Sequence, residues 1–213
     1  MEQPAPTVYV VDDDLQARDS LQALLISLGL DVRTFASAEQ FLSEVSGECH
    51  GCVLADFRLT GMNGLQFYEA LRAGGQQLPV ILVSAYFSVR IAITALDQGV
   101  FCVLEKPFTQ EELEQAVRRA LEAERVSFSR RVYHRDLEHR LGSLDDRQRM
   151  ALRLIISGQP TKAIERHLGV SRRTVERTRA TILRKTNTAS FVELAAALAQ
   201  VQPPIGSCAS PVK

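Results

Sequence analysis

Three aspartates in a row, Asp12, Asp13 and Asp14, end an apolar run in the segment YVVDDDLQ. Consecutive carboxylates repel, and beside a low-dielectric strand end each raises the cost of ionising the others. One aspartate there reads as a helix cap, whereas three suggest that something cationic sits among them. Asp56 follows another apolar run, Ser84 closes a third, and Lys106 comes just after a fourth. Clustered carboxylates plus a backbone carbonyl suit a hard, oxygen-seeking cation such as Mg2+, which takes few protein ligands and keeps several waters. With the cation in place, one carboxylate can attack a phosphoryl group. Asp56 stands alone on its strand and is the expected nucleophile, with Asp12 and Asp13 expected to hold the metal. The Ser84 hydroxyl and the Lys106 ammonium are expected to bind the phosphoryl oxygens and stabilise the transferring group.

These groups converge only if the chain brings several strand ends to one edge. Apolar runs of strand length recur at Thr7–Val11, Asp31–Phe35, Gly51–Ala55, Pro79–Ser84 and Phe101–Leu104. Helical spacing fills the gaps: Leu21, Leu24, Leu25 and Leu28 share a face of Leu15–Leu28, and Ser37–Val45, Leu65–Ala73 and Ser88–Gln98 follow. Thr109-Gln110-Glu111-Glu112 is a capping box that opens another helix. Strands and helices in alternation predict an α/β fold, a five-stranded doubly wound parallel sheet. Such sheets bind ligands beyond the carboxyl ends of their strands, where Asp12, Asp13, Asp56, Ser84 and Lys106 fall.

A formal net charge of zero hides a split. Residues 1–125 hold 9 basic and 18 acidic side chains, a net of −9, and residues 126–213 hold 16 and 7, a net of +9. Such asymmetry predicts two domains, the basic one suited to nucleic acid. No signal-peptide pattern opens the chain, and no apolar run is long enough for a bilayer. Cys49-His50-Gly51-Cys52 is formally C-x-x-C, but no second pair stands at a zinc spacing, and the four histidines form no evident site. These features predict a protein of the reducing cytoplasm.

VVDDD, LADFRLTGMNG, VILVSA and EKPF occur in this order at the spacing of the receiver domains of two-component response regulators, and residues 5–125 resemble that family. The resemblance implies that Asp56 is the phosphoacceptor, charged by a histidine kinase or a small phosphodonor. It implies that Asp13, Asp56 and the main-chain carbonyl of Arg58 bind Mg2+, with Asp12 acting through water, and that the Lys106–Pro107 peptide is cis. Four features depart from the pattern. Thr60 stands where proline is usual, and Val103 where the family carries a switch aromatic. Phe101 lies two residues before it, on the same predicted strand face. SAYFSVR puts Tyr86 and Phe87 near the expected pocket mouth, and Cys102 sits in the fifth strand. Two rivals on similar sheets fit worse: Arg58 replaces the second aspartate of the D-x-D-x-T phosphatases, and DDDLQ would repel a flavin phosphate.

Residues 125–142 carry a weak amphipathic stripe and read as a linker, helical in part. Four helical patterns then follow. Asp145–Ser157 stops at Gly158. PTKAIERHLGVSRRTVERTRATILRK reads as helix, turn at Gly169, and a second helix capped by Ser171. Val175, Thr178, Ile182 and Thr186 share one face of that second helix, and Arg173, Arg177, Ala180 and Arg184 the other, flanked by Arg172, Glu176, Arg179 and Lys185. So many arginines on a solvent face suit a recognition helix in the major groove of DNA. Ser190–Gln200, rich in alanine and leucine, has room to pack against a twin.

Residues 143–200 resemble the LuxR-type helix-turn-helix domain through Leu144, Arg147, Arg149, Leu152, Gly158, Lys162, Ile164, Leu168, Ser171, Thr174, Val175, Ile182 and Lys185. Gln148 departs from the usual glutamate, and Thr161 from asparagine. The resemblance implies base reading at Glu176, Arg177 and Ala180, and phosphate contacts from Lys162, Arg173, Arg179 and Lys185. Receiver, linker and helix-turn-helix in this order resemble the FixJ/NarL class. The expected organisation is a receiver over 1–124, a linker over 125–142, a smaller all-α domain over 143–202 and a disordered tail over 203–213. The expected function is a transcription regulator rather than an enzyme, which dimerises when phosphorylated and binds a two-fold DNA site. The alternatives are the same architecture controlled without phosphorylation and, more remotely, an aspartyl phosphatase.

Overall fold

A computed structural model describes residues 5–45, 47, 49–85 and 88–201. Tyr86, Phe87, Cys208 and the tail over 203–213 lie outside the described residues. The chain divides into two compact units, Met1–Ser129 and Arg130–Lys213.

The first unit alternates strand and helix: β1 (Thr7–Val11), α1 (Leu15–Ser27), β2 (Asp31–Phe35), α2 (Ala38–Glu44), β3 (Gly51–Asp56), α3 (Gly64–Ala73), β4 (Val80–Ser84), α4 (Val89–Asp97), β5 (Cys102–Glu105) and the first part of α5 (Gln110–Gly142), whose residues 130–142 belong to the second unit. All strand pairs are parallel, in the order β2-β1-β3-β4-β5. The two-residue period of a strand divides the sheet's side chains into two cores. Tyr9, Val11, Val53, Ala55, Val80 and Leu82 face α2, α3 and α4, where Phe41 packs edge-on to Tyr9 and Phe67 at 5.5 and 5.3 Å. Val8, Val10, Cys52, Leu54, Ile81 and Val83 face Leu21 and Leu25 of α1 and Leu113 and Val117 of α5. Near-continuous apolar strands are what a sheet covered on both faces requires.

Side-chain caps set where the helices begin. Asp14 accepts from Gln16 and Ala17 N–H, Asn63 and Gln66 close a capping box on α3, and Thr109 and Glu112 close another at α5. α5 then runs unbroken to Gly142 through the whole span read as a linker. Its surface is tied by Glu114–Arg118, Glu122–Arg125 and Asp136–Arg140 pairs, spaced to meet on a helix face. Its buried side chains include Phe128, whose ring stacks on buried His50 at 4.2 Å, and Glu124, 3.7 Å from His50 Nδ1.

One strand-face expectation is corrected. β5 starts at Cys102, so Phe101 precedes the strand and packs with the core beneath α1 and α5, whereas Val103 packs with the opposite core. Phe101 is not on Val103's face.

The second unit holds α6 (Asp146–Ile156), α7 (Thr161–Leu168), α8 (Arg172–Thr186) and α9 (Phe191–Val201) around a core of Leu137, Leu144, Leu152, Ile182 and Leu194. Arg147 and Arg149, matched in the LuxR pattern, act as struts here: they donate to the carbonyls of Leu168 and Gly142 at 3.1 and 3.0 Å.

Candidate functional site

β1, β3, β4 and β5 are neighbours, and their carboxyl ends gather the polar groups singled out from the sequence. Asp12 follows β1 and is 3% exposed. Its Oδ1 accepts the Asp14 N–H at 3.0 Å, and its carbonyl accepts Arg18 at 2.6 Å. Asp56 ends β3. Lys106 reaches both: its ammonium lies 2.8 Å from Asp56 Oδ1 and 3.3 Å from Asp12 Oδ2. Ser84 ends β4, is buried, and its carbonyl accepts the Lys106 N–H at 2.8 Å. The Lys106–Pro107 peptide is cis.

Burial raises the Asp12 carboxyl above the usual range, partly offset by its bonds to Asp14 and Lys106. Burial pulls Lys106 down, but Asp56 and Asp12 outweigh it, so the ammonium is held more firmly than in water.

The loop after β3 brings the remaining groups. The Arg58 N–H donates to Asp56 Oδ2 at 2.6 Å, which orients the expected nucleophile. Gly64 closes that loop through its N–H to the Phe57 carbonyl, 2.9 Å. A Cβ at Gly64 would stand 2.8 Å from Leu82 Cδ2 and 3.0 Å from the Phe57 backbone, so the loop approaches the sheet too closely for a side chain. Asp13 is exposed and lies across this loop. Both the backbone N–H of Thr60, at 3.0 Å, and the Thr60 hydroxyl donate to its Oδ2. The hydroxyl bond is the main cause that holds the Asp13 carboxyl below its ordinary range. The sequence marked Thr60 only as a departure; its role is visible in these bonds.

The receiver pattern implies a divalent cation in this pocket, and the donors fit one. They are carboxylate oxygens without sulfur or imidazole, the set that Mg2+ prefers, and that ion needs few protein ligands. In the conformation described, Lys106 ties Asp12 to Asp56 while Thr60 holds Asp13. Among the described residues, no three acidic, histidine or cysteine side chains are grouped as a metal cage. Cys49, Cys52 and Cys102 are free thiols, and burial pushes the Cys52 thiol far up.

In the second unit, Gly169 ends α7 at φ 63°, a left-handed position that favours glycine, and Ser171 caps α8. Val175, Ile182 and Thr186 are buried, which turns the opposite face of α8 outward. Arg172, Arg173, Glu176, Arg177, Ala180 and Arg184 are exposed there, and Lys162 is exposed on α7. Two expected phosphate contacts are drawn inward instead. Lys185 Nζ donates to the Ser143 carbonyl and to Gln148 Oε1, both at 2.9 Å. Half-buried Arg179 lies over the Phe191 ring at 5.8 Å. Gln148 thus has two tasks that sequence reading missed, since it also closes the capping box of α6 with Asp145.

A receiver on a doubly wound sheet, with a helix-turn-helix unit after it, defines the class, and comparison with known proteins agrees. The family described as "Response regulator receiver domain" matches residues 8–118, and that described as "Bacterial regulatory proteins, luxR family" matches residues 142–198. The chain belongs to the response regulators, with a receiver and a LuxR-type DNA-binding domain. Its relatives include the transcriptional regulatory protein TdiR of Thauera aromatica, 39% identical over 193 residues that cover 89% of this chain and 84% of that protein. The transcriptional regulatory protein FixJ of Bradyrhizobium diazoefficiens is 32% identical over 187 residues, 88% of this chain and 91% of that one. Among solved structures, the response regulator StyR superposes with a TM-score of 0.79 at 33% identity, covering 92% of this chain and 99% of that one.

Proposed function

We propose that this response regulator accepts a phosphoryl group on Asp56 from a histidine kinase and, once phosphorylated, binds a two-fold promoter site as a homodimer in the cytoplasm. The observation that supports it best is the Lys106 ammonium held 2.8 Å from Asp56 beside buried Asp12. An Asp56 carboxylate oxygen forms the bond to phosphorus as the bond to the donor's leaving group breaks, leaving an acyl phosphate. Lys106 and the Ser84 hydroxyl are assigned to the oxygens of the transferred group, and the Arg58 N–H, 2.6 Å from Asp56 Oδ2, keeps the carboxylate in orientation. Asp12, Asp13, Asp56 and the Arg58 carbonyl would hold Mg2+, which supplies charge neutralisation for the transferred group when bound. Glu176, Arg177 and Ala180 are assigned to base edges; Lys162, Arg173 and Arg184 are assigned to phosphates. Half-sites about 34–36 Å apart match one turn of the duplex.

Intact mass after incubation with a small phosphodonor and Mg2+ tests the chemistry. The wild type is expected to gain one phosphoryl group and Asp56→Asn none. An unmodified wild type contradicts the reading, and steady release of phosphate without an adduct favours a phosphatase.

A further inference from the structure

The two bonds that Thr60 gives Asp13 both depend on residue 60 not being proline. A proline has no N–H and no hydroxyl, so it could donate neither. In this chain both donors converge on one oxygen of a carboxylate assigned to the cation, across 47 residues of sequence. Meanwhile Lys106 occupies an oxygen of each of the other two carboxylates. An oxygen that already accepts two hydrogen bonds is a poorer metal ligand, because the donors have taken the electron density and the directions a cation would use. With two of the carboxylate's lone-pair sites taken by Thr60, a cation must displace a donor from Asp13 Oδ2 or bind through Oδ1 alone, and the loop carrying Thr60 is anchored by the close packing of Gly64.

We infer that Thr60 is a positioning residue which parks Asp13 against the loop after β3, so that this receiver takes its divalent cation more weakly than it would with proline at 60. The inference rests on the reading that Asp12, Asp13 and Asp56 hold Mg2+. Its consequence is a charging step tuned to the Mg2+ concentration: Asp56 receives a phosphoryl group readily only where Mg2+ is high enough to compete with Thr60 for Asp13.

The test is a titration of the full chain with Mn2+, free ion being followed by electron paramagnetic resonance, with no phosphodonor present. Mn2+ shares the preference of Mg2+ for oxygen ligands. Thr60→Val removes the hydroxyl and keeps the N–H; it is expected to tighten Mn2+ by roughly three- to tenfold, the worth of one hydrogen bond. Thr60→Pro removes both donors and is expected to tighten it further. Thr60→Ser keeps both and is expected to bind as the wild type does. Equal affinities in wild type and Thr60→Val, or weaker binding in Thr60→Val, overturn the inference while leaving the metal site intact. If neither wild type nor Thr60→Val takes Mn2+, both the inference and the metal reading fall. Should Thr60→Pro fail to fold, the Val and Ser variants decide the matter alone.

Discussion

The acidic pocket at the end of the sheet and the basic face of α8 handle charge in opposite ways. In the pocket, Asp12 is buried, Lys106 bridges it to Asp56, and the backbone of Asp14 and Arg58 supplies further donors. On α8, Arg172, Arg173, Arg177 and Arg184 stand in water. Chemistry at a single atom profits from charges fixed and desolvated before the substrate arrives. Association with a polyanion profits from charges left hydrated, whose counterions are released on contact. Zero net charge overall conceals this division of labour, −9 before residue 126 and +9 after it.

The largest expected effect breaks the pocket outright. Asp56→Asn keeps the side-chain shape but removes the nucleophile, so acyl phosphate is expected to be absent by intact mass, while binding of unphosphorylated protein to DNA is unchanged. Next, Arg177→Ala on the exposed face is expected to cost about 1–3 kcal/mol on a specific site and to relax preference at one base pair, read by competition binding. Lys185→Ala separates the inward cation from the outward ones. It loses bonds to Ser143 and Gln148, so it is expected to destabilise the C-terminal unit by about 1 kcal/mol in thermal unfolding and to leave the salt dependence of DNA binding alone. Lys162→Ala is the converse and the smallest: stability within about 0.5 kcal/mol of wild type, with a salt slope lower by about one. A Lys185 variant that lost salt dependence but not stability would erase the distinction between the two lysines.

Much of this was legible because the signals were redundant. β1 and β2 begin and end where their apolar runs do, and β3 gains only Asp56. Thr109 and Ser171 are legible as caps because a hydroxyl before a periodic stretch meets the unsatisfied N–H groups of the first turn, whereas Ser37 and Ser88, read as the first residues of their helices, cap them instead. α5 was read only in part, since after Glu122 its apolar spacing is loose and charged pairs and a few buried anchors such as Phe128 and Leu137 carry it. The convergence of Asp12, Asp56, Ser84 and Lys106 followed from strand-end logic alone. Three details did not. Asp13's attachment to Thr60 depends on how two loops meet. The inward turn of Lys185 depends on a long side chain finding a carbonyl at Ser143. Phe101 changed cores because β5 begins one residue later than its apolar run.

In the proposed function the two regions act as one: charging Asp56 changes what α8 does. The most direct measurement is the affinity of the full chain for a duplex selected from a random pool, by fluorescence anisotropy at fixed salt, before and after phosphodonor treatment. Tighter binding after treatment in the wild type, and none in Asp56→Asn, is the predicted result. Equal affinity in a wild-type sample whose intact mass shows full phosphorylation would contradict it.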